Sequence, residues 1–301
     1  MSELEITMLG TGSAIPLPNR GHPGIYIKYN GYRMLWDCGE ATQMQIRKAK
    51  LSALKISHIF ITHWHGDHFL GLPGLIQSMN LEGRTKPLVI FGPKGIDEFM
   101  PRILGLGYYD LDYKVEWWEA KPGVLWETDT FTVSAFPVRH GTPSVGYVFQ
   151  EKDKRKMKEE KLESMGIPRG PLWGELQKGK EIMWKGKIIK PDEVTIRIPG
   201  KKVVYTGDTR PCDSTVEAAK GADLLIHDST FSHDTSDRAR ETWHSTAKEA
   251  GEVARKAGVK QLMLFAFSKR YKDEELVKLW EEAKKEFDNV MIAKDLEKIS
   301  L

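Results

Sequence analysis

The stretch FITHWHGDHFLG, residues 60–71, places His63, His65, Asp67 and His68 within six positions. His63 and His65 lie two apart at the end of an extended run. Strand alternation therefore sends both imidazoles to one side and Trp64 to the other. Gly66 then opens a tight turn that brings up Asp67 and His68. Neutral imidazoles and a carboxylate in an H-x-H-x-D-H pattern suit zinc or another borderline first-row ion. Single histidines are usually packed or solvated side chains, but four ligating groups in six residues at a strand end rarely arise from packing. Six positions cannot enclose a catalytic metal centre, so more ligands must come from other strand ends. His140 stands where the run in FPVRHGTPSVGYVF stops, and Asp208 follows another run in VVYTGDTRPC, beside Gly207, which lets backbone approach closely.

The elements that must position these groups are short, apolar and β-branched: 4–9, 24–29, 57–62, 130–138, 202–206, 222–227 and 260–265, each bounded by Gly, Pro or Asp. Amphipathic spacing predicts helices over 246–257 and 273–287. A strand-rich early half and an alternating late half predict an α/β (α+β) arrangement of layered sheets flanked by helices rather than a barrel. With 301 residues and 40% hydrophobic content the chain can bury a substantial core. Cys38 and Cys212 are too few for a disulfide framework, and neither belongs to a CxxC pair. No run of about 18 apolar residues is present to span a bilayer. The N-terminus moves directly into a strand pattern, so a reducing cytoplasm is the expected compartment.

The net charge of +3 is unevenly spread. Residues 151–202 hold 15 Lys and Arg against 9 Asp and Glu. Within 151–193 the strand and helix rhythm breaks into charged, Gly-Pro-punctuated sequence with little apolar material to pack. This predicts an inserted basic arm at 151–193 within a body formed by 1–150 and 194–301.

Taken in order, H-x-H-x-D-H, a strand-end His and a G-D pair resemble the metallo-β-lactamase fold, an αββα sandwich with a two-metal site along one edge. Within that superfamily the chain is similar to the short-form tRNA 3′-processing endonucleases, ribonuclease Z. WDCGEATQMQI (36–46), HGTPSVGYVF (140–149), HDSTF (227–231), HSTAKEA (244–250) and the GIPRGPLWGELQKG arm carry that similarity. The resemblance implies two zinc ions per subunit: one on His63, His65 and His140, the other on Asp67 and His68, with Asp208 bridging. It implies attack by a metal-activated hydroxide on a phosphodiester of precursor tRNA, leaving a 3′-hydroxyl. Asp67 would orient the hydroxide and take its proton. His244 would protonate the departing oxygen, with Asp228, where the family commonly has Glu, holding its other ring nitrogen. The arm, with Gly170, Pro171, Lys178 and Lys180, would grip the body of the tRNA, and the enzyme would be a homodimer.

Two departures stand out. The family carries a seventh ligand, a His just before a Ser-x-Arg-Tyr. In LMLFAFSKRY, Ser268, Arg270 and Tyr271 are present but Ala266 occupies that position, and a methyl group cannot coordinate a metal. Either natural divergence or a substitution made in an otherwise intact site produces this pattern; the intact neighbours favour the second. One firmly held metal and severely reduced turnover are expected. In PLPNRG, Pro16 and Arg20 are kept, but Pro18 and Gly21 stand where the family usually has Lys and Asn. Two rival readings are a small-molecule ester hydrolase of the same fold, against which the basic arm argues, and a catalytically silent RNA-binding homologue.

Overall fold

The computed structural model describes residues 3–301. Two seven-stranded sheets carry the chain. The first runs, in spatial order, Lys298–Ser300, Glu5–Gly10, Gly24–Tyr29, Tyr32–Trp36, His58–Phe60, Leu88–Gly92 and Val115–Glu119. The second runs Val290–Ile292, Leu262–Phe265, Leu224–Asp228, Lys202–Tyr205, Val145–Glu151, Phe131–Pro137 and Gly123–Glu127.

Strand alternation sorts the side chains into layers. Ile25, Ile27, Tyr29, Met34, Trp36 and Phe60 join the cluster shared with the second sheet, while Tyr26, Leu35, Ile59 and Ile61 turn to the opposite face. There they meet Ile46, Leu75, Ile76, Met79, Ile96 and Met100 from three helices. Ala250, Val253, Ala254 and Leu279 pack from helices Ala247–Ala257 and Leu276–Lys284 into the cluster of the second sheet. Trp36 stacks on Tyr205 between the sheets, with ring centroids 5.9 Å apart. This is the expected αββα sandwich.

The strands that matter chemically are parallel and end together. Tyr32–Trp36, His58–Phe60 and Leu88–Gly92 run parallel in one sheet; Lys202–Tyr205, Leu224–Asp228 and Leu262–Phe265 do so in the other. Asp37, His63, Asp208, Asp228 and Ala266 all lie at or just beyond their carboxyl ends. This is the edge where open parallel sheets place their ligands.

At the far end of His58–Phe60 the His58 ring lies against Trp126 of the second sheet, with centroids 3.7 Å apart. Burial lowers its pKa to about 4. The unfolded chain, with a pKa near 6.5, takes up that proton first, so stability is complete above about pH 6.5 and is lost as pH falls towards 4. We expect a loss of about 3 kcal/mol across that window in denaturant titrations. His58→Phe, which keeps a ring on Trp126, should remove this contribution and leave what the other buried histidines add.

Residues 154–198 join neither large sheet. Lys154–Met157 pairs with Thr195–Ile198, and Ile182–Trp184 pairs with Lys187–Ile189. Helices Glu159–Ser164 and Pro171–Gln177 complete the segment. Contrary to the expectation of little apolar material, Leu162, Ile167, Leu176, Ile182, Ile189 and Val194 form a separate buried cluster. These residues are spread thinly between charges, so no periodic stripe announces them; pairing of the two hairpins gathers them.

Candidate metal centre

The chain after Phe60 leaves its strand but stays extended. Thr62 N donates to Asp37 Oδ1 at 2.7 Å, which fixes the chain just before the histidines. His63 Nε2 and His140 Nε2 each lie near His65 Nδ1, at 3.1 and 3.2 Å, so three ring nitrogens converge. The remaining nitrogens are oriented from behind. His63 Nδ1 lies 3.0 Å from Thr62 Oγ1, and His140 Nδ1 donates to the Trp243 carbonyl at 2.9 Å. Burial, and then the neighbouring imidazoles, push His63 and His65 below their usual pKa, so both are neutral and carry free lone pairs. Trp64 points away and stacks on Phe99.

Asp67 and His68 lie in the one-turn helix Gly66–Phe69. His68 Nδ1 pairs with the fully buried Asp37 at 2.8 Å, which leaves Nε2 facing Asp208 Oδ2 at 3.3 Å and Asp67 Oδ2 at 3.6 Å. Burial alone would lower the pKa of His68, but the carboxylates of Asp208, Asp37 and Asp67 outweigh it and hold it well above the usual range. Asp208 is held well below the usual carboxylate range, since His68, His244 and His63 outweigh its burial. His68 Nε2 and Asp208 Oδ1 are both buried without any hydrogen-bond partner. Such orphans are costly unless something occupies the space between them. A divalent cation fits: taking the place of the Nε2 proton of His68, it would satisfy both atoms and balance the carboxylates. Two sets of potential ligands, His63–His65–His140 and His63–His68–Asp208, have their atoms within 4.8 Å of one another. Asp67 stands at the edge, its Oδ2 accepting from Ala14 N at 2.7 Å.

Asp228, the last residue of its strand, accepts from Thr209 N, Thr230 N, Thr230 Oγ1 and His244 Nδ1 at 2.9, 2.9, 2.7 and 2.9 Å. His244 precedes helix Ala247–Ala257, which begins at Thr246 with a reciprocal cap to Glu249. Burial lowers the pKa of His244, but Asp228 and then Asp208 outweigh it and raise it to about 9. Its Nε2 makes no hydrogen bond among the described residues, so it is free to meet a substrate atom.

Ala266 is buried in the left-handed region at φ 61 and brings no donor. Arg20 of the PLPNRG loop is buried and paired with Asp273 and the Tyr271 carbonyl, so it holds the fold together. His227 Nδ1 donates to the Asp228 carbonyl at 2.7 Å, and His233 lies exposed in a short turn. His22 is buried with neither ring nitrogen hydrogen-bonded, its Nδ1 3.9 Å from Glu40, and it belongs to none of the ligand clusters among the described residues. In the arm, Gly170 has φ 150, a conformation open essentially to glycine, and Pro171 starts a helix. Lys178 and Lys180 both lie beside Glu175, at 3.5 and 2.9 Å.

Sequence reasoning did not assign Asp37 a role. It lies at φ 53, directly after a fully buried stretch, and a carboxylate there needs partners; that was the available signal. Its removal frees the His68 ring. We expect Asp37→Ala to weaken metal retention about 10- to 100-fold in a chelator competition.

Fold and site together define a metallo-β-lactamase-type hydrolase. Residues 193–267 match the model of a beta-lactamase superfamily domain, and residues 4–153 match that of the anti-Pycsar protein Apyc1. The segment between them belongs to neither. Bacillus subtilis YhfI, a metallo-beta-lactamase fold protein, superposes with TM-score 0.73 over 100% of both chains at 20% identity, a likeness of fold. The short form of human tRNase Z superposes with TM-score 0.69 at 28% identity, over 98% of each chain. Ribonuclease Z of Methanosarcina acetivorans is 44% identical over 99% of this chain and 98% of its own length. That of Archaeoglobus fulgidus is 46% identical over 97% and 95%. The chain belongs to the ribonuclease Z family, metal-dependent endoribonucleases.

Proposed function

We propose that this chain removes the 3′ trailer from precursor tRNA by hydrolysing one phosphodiester, leaving a 3′-hydroxyl on the tRNA. The observation that carries it is the convergence of three imidazoles, His63, His65 and His140, beside two buried atoms without a hydrogen-bond partner, His68 Nε2 and Asp208 Oδ1. In this reading His63, His65 and His140 would hold one zinc ion and Asp67 and His68 the other, with Asp208 contributing its carboxylate. Such ions, when bound, lower the pKa of water and neutralise charge growing on a phosphate. Asp67 Oδ2, steadied by Ala14 N, accepts a proton from the attacking water. His244, protonated at neutral pH, donates from Nε2 to the departing 3′ oxygen, while Asp228 keeps the proton of Nδ1 in place. With Ala266 the second position lacks a donor, so turnover is low in the chain as it stands. Cleavage of a precursor tRNA with product ends mapped tests the proposal; a product carrying a 3′-phosphate would overturn it.

The arm is the gripping device in this reading. Lys156, Lys161, Lys185, Lys187 and Lys190 have no carboxylate partner among the described residues, whereas Lys178 and Lys180 already face Glu175. The free lysines are therefore better placed to meet phosphates, in a salt-dependent manner and without reading bases. Replacing residues 155–197 by a short Gly-Ser linker should weaken precursor tRNA binding by about 100-fold or more, since several phosphate contacts go at once. Hydrolysis of a small phosphodiester by an Ala266→His background should persist. Retained tRNA affinity would remove the arm from the reading.

The active form proposed is a homodimer in the cytoplasm, in which one subunit's arm serves its partner's site. Light scattering on the intact chain and on the linker variant checks the assembly. No helix among the described residues is long and apolar enough to cross a membrane.

A further inference from the structure

Trp243, immediately before His244, has φ 62, a conformation that costs a bulky side chain about 1–3 kcal/mol. The backbone part of this strain has an explanation, because the Trp243 carbonyl accepts from His140 Nδ1. Any residue type supplies a carbonyl, however, and the side chain here is an indole left 40% exposed. The guanidinium of Arg139 lies over its ring, with Cζ 5.6 Å from the centroid. Gly141 makes room at its edge, since a Cβ there would stand 3.2 Å from indole Cδ1.

Arg139 is itself exposed, and no carboxylate pairs with it among the described residues. Its bridge partner Arg210 differs: that guanidinium is taken up by Glu249 and by the His244 carbonyl. The Arg139 backbone is clamped on both sides, its N–H donating to Thr209 Oγ1 at 3.1 Å and its carbonyl accepting from Arg210 N at 2.7 Å. A guanidinium without a carboxylate partner and the partly exposed indole over which it lies are thus fixed together, next in sequence to His140 and His244.

Resting on the endoribonuclease reading, we propose that Trp243 and Arg139 form a subsite for an unpaired nucleotide flanking the scissile phosphate. The indole stacks on its base, and Arg139 meets the adjacent phosphate. Every base has a π-face, so such a subsite accepts any base while fixing the chain at the cut.

The test pairs protein variants with altered substrates. Affinity is measured for an intact precursor tRNA, and for the same RNA with an abasic ribose on either side of the cut. Base–aromatic stacking predicts that Trp243→Leu weakens the intact RNA by about 5- to 150-fold and leaves one of the abasic RNAs nearly unaffected. Trp243→Phe, which keeps a π-face on the same backbone, should retain most of the affinity and the discrimination. Arg139→Gln should weaken intact and abasic RNA alike and reduce the salt dependence by about one phosphate contact. Equal weakening of intact and both abasic RNAs by Trp243→Leu, or none, overturns the subsite. Failure of the unmodified chain to prefer precursor tRNA over an unrelated folded RNA overturns the reading beneath it, a separate result.

Discussion

Ala266→His raises bound metal from about one to two ions per chain and raises cleavage of a precursor tRNA by more than 10- to 100-fold. That range is typical of losing a group that merely supports a ligand, and a missing ligand costs more. The substitution is local. Ala266 already carries a Cβ at φ 61, and histidine is among the residues enriched in that region, so the backbone need not move. The position follows strand Leu262–Phe265, whose neighbour ends in Asp228, so a new imidazole would start from the same sheet edge as the proposed ligands. Elemental analysis and single-turnover cleavage, made on both proteins, read the result. Equal metal and equal activity would mean that another side chain completes the set and the donor assignment is wrong. Tight tRNA binding without cleavage in the variant would identify a binding homologue.

In that restored background, His244→Ala lowers kcat on precursor tRNA by about 10²- to 10⁴-fold, the usual contribution of a positioned proton donor. The 3′ oxygen of a ribose is a poor leaving group without a proton, whereas a nitrophenolate leaves readily on its own. A nitrophenyl phosphodiester should therefore lose much less activity than the tRNA does. An equal loss on both substrates would show that His244 acts instead by supporting the ligands, through its contact with Asp208 at 3.8 Å. Asp228→Asn separates the two parts of the pair. It keeps the shape but removes the charge that raises His244, so it should lower kcat more than it raises KM.

Much of the site is already present in the sequence, for reasons of chain geometry. His63, His65, Asp67 and His68 are close because six residues cannot separate them, and the period of two puts His63 and His65 together whatever the rest of the chain does. The apolar runs likewise determine the strands, and alternation puts Ile25, Ile27 and Tyr29 on one face and Tyr26 on the other. The absence of a ligand at Ala266 is also a sequence fact, because no fold can make a methyl group coordinate.

Tertiary structure decided what lies far apart in the chain. Asp37 and His68 are joined across 31 residues and Asp228 and His244 across 16, by strand order that no local pattern encodes. The orphaned atoms of His68 and Asp208 are visible only once both are buried together. The small core of the arm depends on hairpin pairing between residues spaced too irregularly to show a period. Trp243 reads as an ordinary residue before a helix until its backbone angle, its exposure and Arg139 are seen at one place. Ligand types and their local spacing are properties of the chain. Which side chains share a buried space, with which charges around them, depends on long-range packing, and that sets the pKa values and the free atoms the chemistry uses.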